Sequence, residues 1–186
     1  MMLSMKYVVE LLFDTQSERA IHSLWEKLSE KSFPSVLLDH HIRPHITLAV
    51  YDNIEVHVAE KYLSELCTWH TPFSVLLNTL GTFYSKDNVI FTAPVYRDDL
   101  RNIHAKFHKK FEQFVPFVHQ HHLPKNWQPH CTLAMHLSDT QFLQTFSIIR
   151  KEFQPLEVTI ETVALYRYEP QELVFEQKLL YRRKSI

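Results

Sequence analysis

Apolar and polar positions change period again and again along the chain. Lys6 to Phe13 is a nearly unbroken apolar run rich in Val, Leu and Tyr, which predicts a strand. From Ser17 to Lys31, Ala20, Ile21, Leu24, Trp25 and Leu28 keep the i, i+3, i+4 spacing of a helix. Asp14, Thr15 and Ser17 are candidate N-caps, and Phe33-Pro34 follows the helix end. His45 to Tyr51 predicts a second strand, Glu55 to Trp69 a helix and Phe73 to Tyr84 an extended segment. The order then restarts. Val89 to Val95 is a strand, and Asp98 to Val115 is a helix with Leu100, Ile103, Phe107, Phe111 and Phe114 on one stripe. His130 to His136 is a strand, Thr140 to Lys151 a helix, Leu156 to Tyr168 a strand and Glu172 to Arg182 a closing strand.

The pattern is β-α-β-α-β written twice, which sets the expected fold class. It is an α+β chain of two lobes related by a pseudo-twofold, with antiparallel-rich sheets lining a central groove and helices outside. The lobes divide near residues 1–86 and 87–186. No Gly- or Ser-rich linker separates them, and neither half alone buries much core, so the 186 residues form one domain. Pro116 to Gln128, the longest irregular stretch, is expected to be a rim loop or lid.

Composition narrows the chemistry. At 45% hydrophobic and 22% charged residues the chain is globular, and a net charge of -1 argues against a broad basic surface gripping duplex DNA. Two cysteines, Cys67 and Cys131, make no disulfide framework and point to a reducing, cytoplasmic setting. No stretch has a signal-peptide core, because Lys6 and Glu10 interrupt the apolar N-terminal run, and none approaches membrane-spanning length. A soluble monomer is expected. There are 13 histidines but one glycine, Gly81. Glycine-rich phosphate cradles are therefore excluded, and any phosphate must be held by side chains or a helix end.

The duplication also shows in the letters. Pro44-His45-Ile46-Thr47-Leu48-Ala49 matches Pro129-His130-Cys131-Thr132-Leu133-Ala134 at every position but one. On a strand, residues i and i+2 share a face, so His45, Thr47 and Ala49 are expected to point one way and Ile46 and Leu48 the other. His130, Thr132 and Ala134 repeat this, with Cys131 turned into the core as an inert thiol. Two such strands would line a groove with two imidazoles and two hydroxyls. A neutral imidazole takes a proton from an attacking oxygen and a protonated one gives a proton to a leaving oxygen. The threonine hydroxyls donate to the phosphate between them. No metal, cofactor or covalent nucleophile is needed.

Paired His-x-Thr-hydrophobic motifs in a duplicated α+β chain resemble the two-histidine (2H) phosphoesterase superfamily, and within it the 2′,5′ RNA ligase and cyclic nucleotide phosphodiesterase group. The likeness extends to the Gly81-Thr82-Phe83 step and the Leu-x-x-Ile-His run from Leu100 to His104. It implies His45 and His130 as the acid–base pair and Thr47 and Thr132 as phosphate ligands. It further implies action on RNA ends or small cyclic nucleotides, opening 2′,3′-cyclic phosphates and making or breaking 2′,5′ linkages. ADP-ribose cyclic phosphate is an alternative substrate, and a non-catalytic RNA- or nucleotide-binding module an alternative role.

Other residues weigh less. Phe83 and Tyr166 stand at corresponding places in the two halves, where they would stack a nucleobase or pack the core. Arg43 would touch a phosphate at the groove mouth or lie on the surface. His40, His41, His119, His121 and His122 lack cysteine partners at zinc spacing and are expected to be solvated. His104 and His108, at i and i+4, lack the Glu of a zinc hydrolase and are expected on a polar helix edge. Arg182-Arg183-Lys184 is expected to be a solvated tail.

Overall fold

The computed structural model describes residues 6–31, 36–84, 86–168 and 171–180. The Arg182-Arg183-Lys184 tail lies outside them. Strands β1 (Lys6–Phe13), β2 (His45–Tyr51), β3 (Phe73–Thr82), β4 (Ile90–Pro94), β5 (Cys131–Ala134), β6 (Leu156–Tyr168) and β7 (Glu172–Lys178) alternate with helices α1 (Thr15–Glu30), α2 (Val36–Asp39), α3 (Val56–Trp69), α4 (Asp98–Lys110) and α5 (Asp139–Glu152). Asp14 caps α1 by accepting from the Ser17 N–H, and Ser138 and Gln141 close a capping box on α5. The one-turn α2 was not expected, since four residues carry no readable period.

All strand pairs are antiparallel, in one seven-stranded sheet ordered β2-β1-β6-β3-β4-β5, with β7 also on β6. The halves of the chain interlock. β6 runs beside β1 along one edge, while its other edge pairs first with β3 and then with β7. Each group of strands therefore draws on both sides of the expected 86/87 division. Glu161 is the extra residue of a bulge opposite Leu12 and Phe13. It inverts the alternation, so that Val158 and Ile160 before it and Val163 and Leu165 after it all enter the same core.

The sheet curves until its ends meet, bringing β2 beside β5. Helices cover one face, over a core that takes Val9, Leu11 and Phe13 from β1 and Ile46 and Leu48 from β2. The other face carries Glu10 and Leu12 of β1 with Thr162, Ala164 and Tyr166 of β6. Among the described residues, no helix is long and apolar enough to cross a membrane.

The expected helix over 98–115 ends at Lys110 and tightens into a 3-10 segment, Glu112–Phe117. Pro116 lies inside that segment and has no N–H to give to the Glu112 carbonyl, so an α-helix could not carry its ladder through it. Of the two expectations for 116–128, a rim loop or a lid, the fastened segment fits the rim loop. It is fastened to β2 by a Tyr51–Val118 bridge and by the His119 N–H donating to the Val50 carbonyl. It ends in Trp127, whose indole N–H donates to the Thr47 carbonyl at 2.9 Å.

His104 and His108 overturn the expectation of a polar helix edge. Both are buried, at 2% and 7% exposure, because α4 turns them toward Trp127 and the segment that fastens β2. The His104 ring stacks on Trp127, 3.7 Å away and 4° from parallel, and its Nε2–H donates to the His122 carbonyl at 3.1 Å. His108 Nε2 lies 3.1 Å from the same nitrogen. Burial, then the neighbouring His108, pushes His104 down to about 3. Burial pushes His122 down to about 4 and lowers His108 as well.

These imidazoles are more basic in the unfolded chain than in the fold. Their neutral forms stabilise the fold above about pH 6.5, and that contribution is lost as pH falls through the lowered values. Stability should therefore drop on acidification, by up to about 1.4 kcal/mol per pH unit for each imidazole. Urea unfolding from pH 7.5 to 4.5 measures the slope, and His104→Phe should flatten it while costing about 1–3 kcal/mol at pH 7.5 for the lost bond to the His122 carbonyl. A variant with the wild-type slope would show that acid lability arises elsewhere.

Candidate active site

The two motifs build the same local structure on β2 and β5. His45 donates Nδ1–H to the Arg43 carbonyl at 2.7 Å, and His130 donates Nδ1–H to the Gln128 carbonyl at 2.8 Å. In each case the acceptor lies two residues back, across a buried proline, Pro44 or Pro129. The fixed φ of proline holds that carbonyl in place. The bond sets the tautomer and leaves Nε2 as the nitrogen not engaged by the backbone. Thr47 and Thr132 follow on the histidine side, half-buried, and their hydroxyls have no hydrogen-bond partner among the described residues.

The expected share of Ala49 and Ala134 in this face is corrected. Leu48 is an extra residue between the Thr47–Glu10 and Ala49–Val9 pairs, and Leu133 is an extra residue between Thr132–Phe91 and Ala134–Ile90. These matching bulges reverse the alternation just after each threonine, so both alanines enter the core with both leucines. Cys131 is buried against the His45 backbone, where burial pushes its thiol up to about 12, in keeping with an inert core residue.

The copies differ in what stands opposite each threonine. Facing Thr132 is Phe91, and the His130 ring lies 5.1 Å from Phe91 and 4.8 Å, edge to face, from Phe83. Burial lowers the pKa of His130, opposed by its bond to Gln128, with His45 across the groove lowering it further. Facing Thr47 is Glu10, which sequence reading missed. Its Oε1 lies 3.5 Å from His45 Nε2, with the carboxylate side chain only 3% exposed. Burial raises the Glu10 pKa, partly countered by His45 and Arg43. The signal was present, because Glu10 is the one charge inside the apolar run from Tyr7 to Phe13.

Arg43 is occupied by carboxylates. Its Nε and Nη2 donate to Glu18 Oε1 at 2.8 and 2.7 Å, and its Nη1 donates to Glu176 Oε1 at 2.9 Å. These pairs lash α1 and β7 to the segment whose carbonyl holds His45, and they raise the pKa of Arg43 against the effect of its own burial. Tyr166 is 7% exposed and packs with Leu12 and Ala164, so its ring is core rather than an open stacking surface. Phe83 remains half-buried, packed against His130. Among the described residues, no three of His, Cys, Asp and Glu converge as a metal-ligand set.

A family model for the 2′-5′ RNA ligase superfamily matches residues 13–172. The chain belongs to that superfamily, the 2H phosphoesterases. Its fold is shared with solved members. TT0787 of Thermus thermophilus has 17% identity and a TM-score of 0.63, spanning 94% of this chain and 98% of that one. E. coli LigT complexed with 3′-AMP has 14% identity and a TM-score of 0.59, spanning 96% and 100%. LigT complexed with phosphate gives 14% and 0.53, spanning 95% and 98%. No curated protein matches the chain. Superfamily membership makes the protein an enzyme of the phosphoesterase and RNA ligase kind acting on RNA phosphodiesters.

Gly81 supports the second copy. A Cβ there would stand 2.7 Å from the Phe91 ring, which is itself wedged against Phe83 and His130. Gly81→Ala should cost about 1–3 kcal/mol in urea unfolding and lower activity, while Gly81→Ala with Phe91→Leu should recover most of the stability. Equal stability of Gly81→Ala and wild type would show that the ring has room to move.

Proposed function

We propose that the protein is a metal-independent phosphodiesterase that opens 2′,3′-cyclic phosphates at RNA ends or on small nucleotides, with His45 and His130 as acid and base and Thr47 and Thr132 as phosphate ligands. The observation that carries this reading is the pair of imidazoles, each fixed through Nδ1 and each beside a threonine with an unengaged hydroxyl. The 3′-AMP and phosphate complexes of LigT agree with a nucleotide phosphate as the bound group.

One neutral Nε2 takes a proton from water as its oxygen bonds to phosphorus. The other imidazole gives a proton to the ribose oxygen as the P–O bond breaks, leaving a phosphomonoester and a free hydroxyl. Threonine O–H groups donate to the non-bridging oxygens, where charge gathers in the transition state. With an RNA 5′-hydroxyl in place of water, the same steps join a 2′,5′ linkage, and their reverse cleaves it.

The deciding assay offers the four nucleoside 2′,3′-cyclic phosphates, a 2′,5′-linked dinucleotide and ADP-ribose cyclic phosphate, with EDTA throughout. Turnover of nucleoside cyclic phosphates in EDTA is expected. Loss of turnover that zinc or manganese restores would overturn the metal-independent mechanism. Turnover of ADP-ribose cyclic phosphate alone would replace the substrate, and binding of all without turnover of any would make the protein a binding module.

The hydroxyls make a separate prediction. Thr47→Ala and Thr132→Ala should each lose about 2–3 kcal/mol of transition-state stabilisation, a drop of roughly 30- to 150-fold in kcat/KM. Thr→Ser at either site should be far milder, and Ser and Ala variants that behave alike would make the threonines structural.

A further inference from the structure

The pseudo-twofold makes the two motif histidines alike, yet the reaction needs one to hold a proton and the other to lack it. The residues cross-strand from the threonines supply the difference. Opposite Thr47 is the carboxyl of Glu10, 3.5 Å from His45 Nε2, and opposite Thr132 is the ring of Phe91, against His130. No other ion pair forms on Glu10 among the described residues. The groups around it are Arg43 leading into β2, Tyr166 and Tyr168 on β6, and Cys131 on β5. Among these described residues Arg43 is the one fixed cation, and Glu18 and Glu176 already neutralise it. The tyrosines and the thiol carry no charge near neutral pH. His45 is therefore the partner with which Glu10 exchanges a proton.

Building on the proposed acid–base reading, we propose that Glu10 is a positioning residue that makes His45 the proton donor, by sharing one proton between its carboxyl and His45 Nε2, and that His130 in its aromatic surround is the base. Whether that proton rests on oxygen or nitrogen, the pair carries it into the groove. Isolated burial of a carboxylate is costly, so the pair gives up its proton only when a stronger acceptor, the departing ribose oxygen, forms beside it. Among the described residues no carboxylate pairs with His130, which offers its Nε2 to water. In each turnover His130 gains the proton of water and the leaving oxygen gains the proton of His45, after which solvent resets both.

Glu10→Gln keeps the shape and removes the ionisable proton. It should lower kcat/KM on a 2′,3′-cyclic nucleotide by about 10- to 100-fold and move the alkaline limb of the pH profile to lower pH. On a p-nitrophenyl ester of a nucleoside 3′-phosphate, whose leaving group needs no acid, the loss should be within about threefold. Linkage adds a readout in stability, which reports burial of the carboxyl and is read beside the activity. A carboxyl whose pKa rises on folding stabilises the fold below about pH 4.5, and that contribution is lost as pH rises through the folded value. Glu10→Gln should thus gain stability over wild type as pH rises while losing activity.

Ring 15N NMR tests the proposal without any substrate, and so separately from the assigned reaction. At pH 7 His45 Nε2 should be protonated or share a proton in the wild type and be bare in Glu10→Gln, with His130 Nε2 bare in both. The same ring signals for the two histidines in the wild type, or no change at His45 in Glu10→Gln, overturns the proposal. If Glu10→Gln does not fold, the wild-type comparison alone decides, with Glu10→Asp as the second variant. Equal losses on the cyclic nucleotide and the activated ester would also overturn it.

Discussion

Each motif histidine spends its Nδ1–H on the carbonyl two residues before it, and that short bond is what the rest of the site depends on. It fixes tautomer and ring direction together, so Nε2 is the nitrogen left for reaction. A bond to the residue's own chain also costs little entropy, because both ends belong to one segment. Proline at the intervening position adds to this by narrowing the backbone. The acceptor residues can therefore differ. Arg43 is tied down by two carboxylates, whereas Gln128 follows the buried Trp127, and both present a carbonyl in the same way.

Two edge strands carry the motifs, and edges are where a sheet usually needs protection. Here curvature brings β2 and β5 together, and bulges at Leu48 and Leu133 end the functional face after one His-x-Thr step. Beyond each bulge the strand returns to the core. The support behind β2 is polar and buried. Trp127 holds the Thr47 carbonyl, and His104 stacks on Trp127. Buried imidazoles in that support make the position of Thr47 depend on groups that favour the neutral form, which links the integrity of the site to pH through the scaffold as well as through the reaction.

Strong periodicity made the strands and helices legible in the sequence, and the duplicated motif made His45, Thr47, His130 and Thr132 legible as a set. What was not legible depends on register irregularities and long-range contacts, because alternation reports a face only while the register is regular. Parity places Ala49 and Ala134 in the groove, and an extra residue one step earlier sends both to the core. The lobes were divided by sequence order, but β6 is long enough to pair with β1 and then with β3 and β7, a long-range choice that no local window contains. His104 and His108 looked polar by residue type, yet stacking on Trp127 and a bond to the His122 carbonyl satisfy them in the interior. Arg43 looked like an anion ligand until Glu18, 25 residues before it, and Glu176, 133 residues after it, took its donors.

Glu10 belongs to a different kind of omission. The repeated letters mark what the two halves share, whereas this carboxyl stands where they diverge. Duplication supplies two equivalent imidazoles cheaply, but equivalent groups have equal affinity for a proton, and acid–base catalysis needs them unequal. The inequality has to come from outside the repeated letters. The cross-strand neighbour of each threonine is well placed to supply it, being close enough to act on the imidazole and not itself needed to hold phosphate. A carboxyl on one side and an aromatic ring on the other separate the two environments in opposite directions, one toward keeping a proton and one toward excluding it. On the proposed reading, the fold keeps its symmetric frame for binding the phosphate while two residues, Glu10 and Phe91, give the reaction its direction.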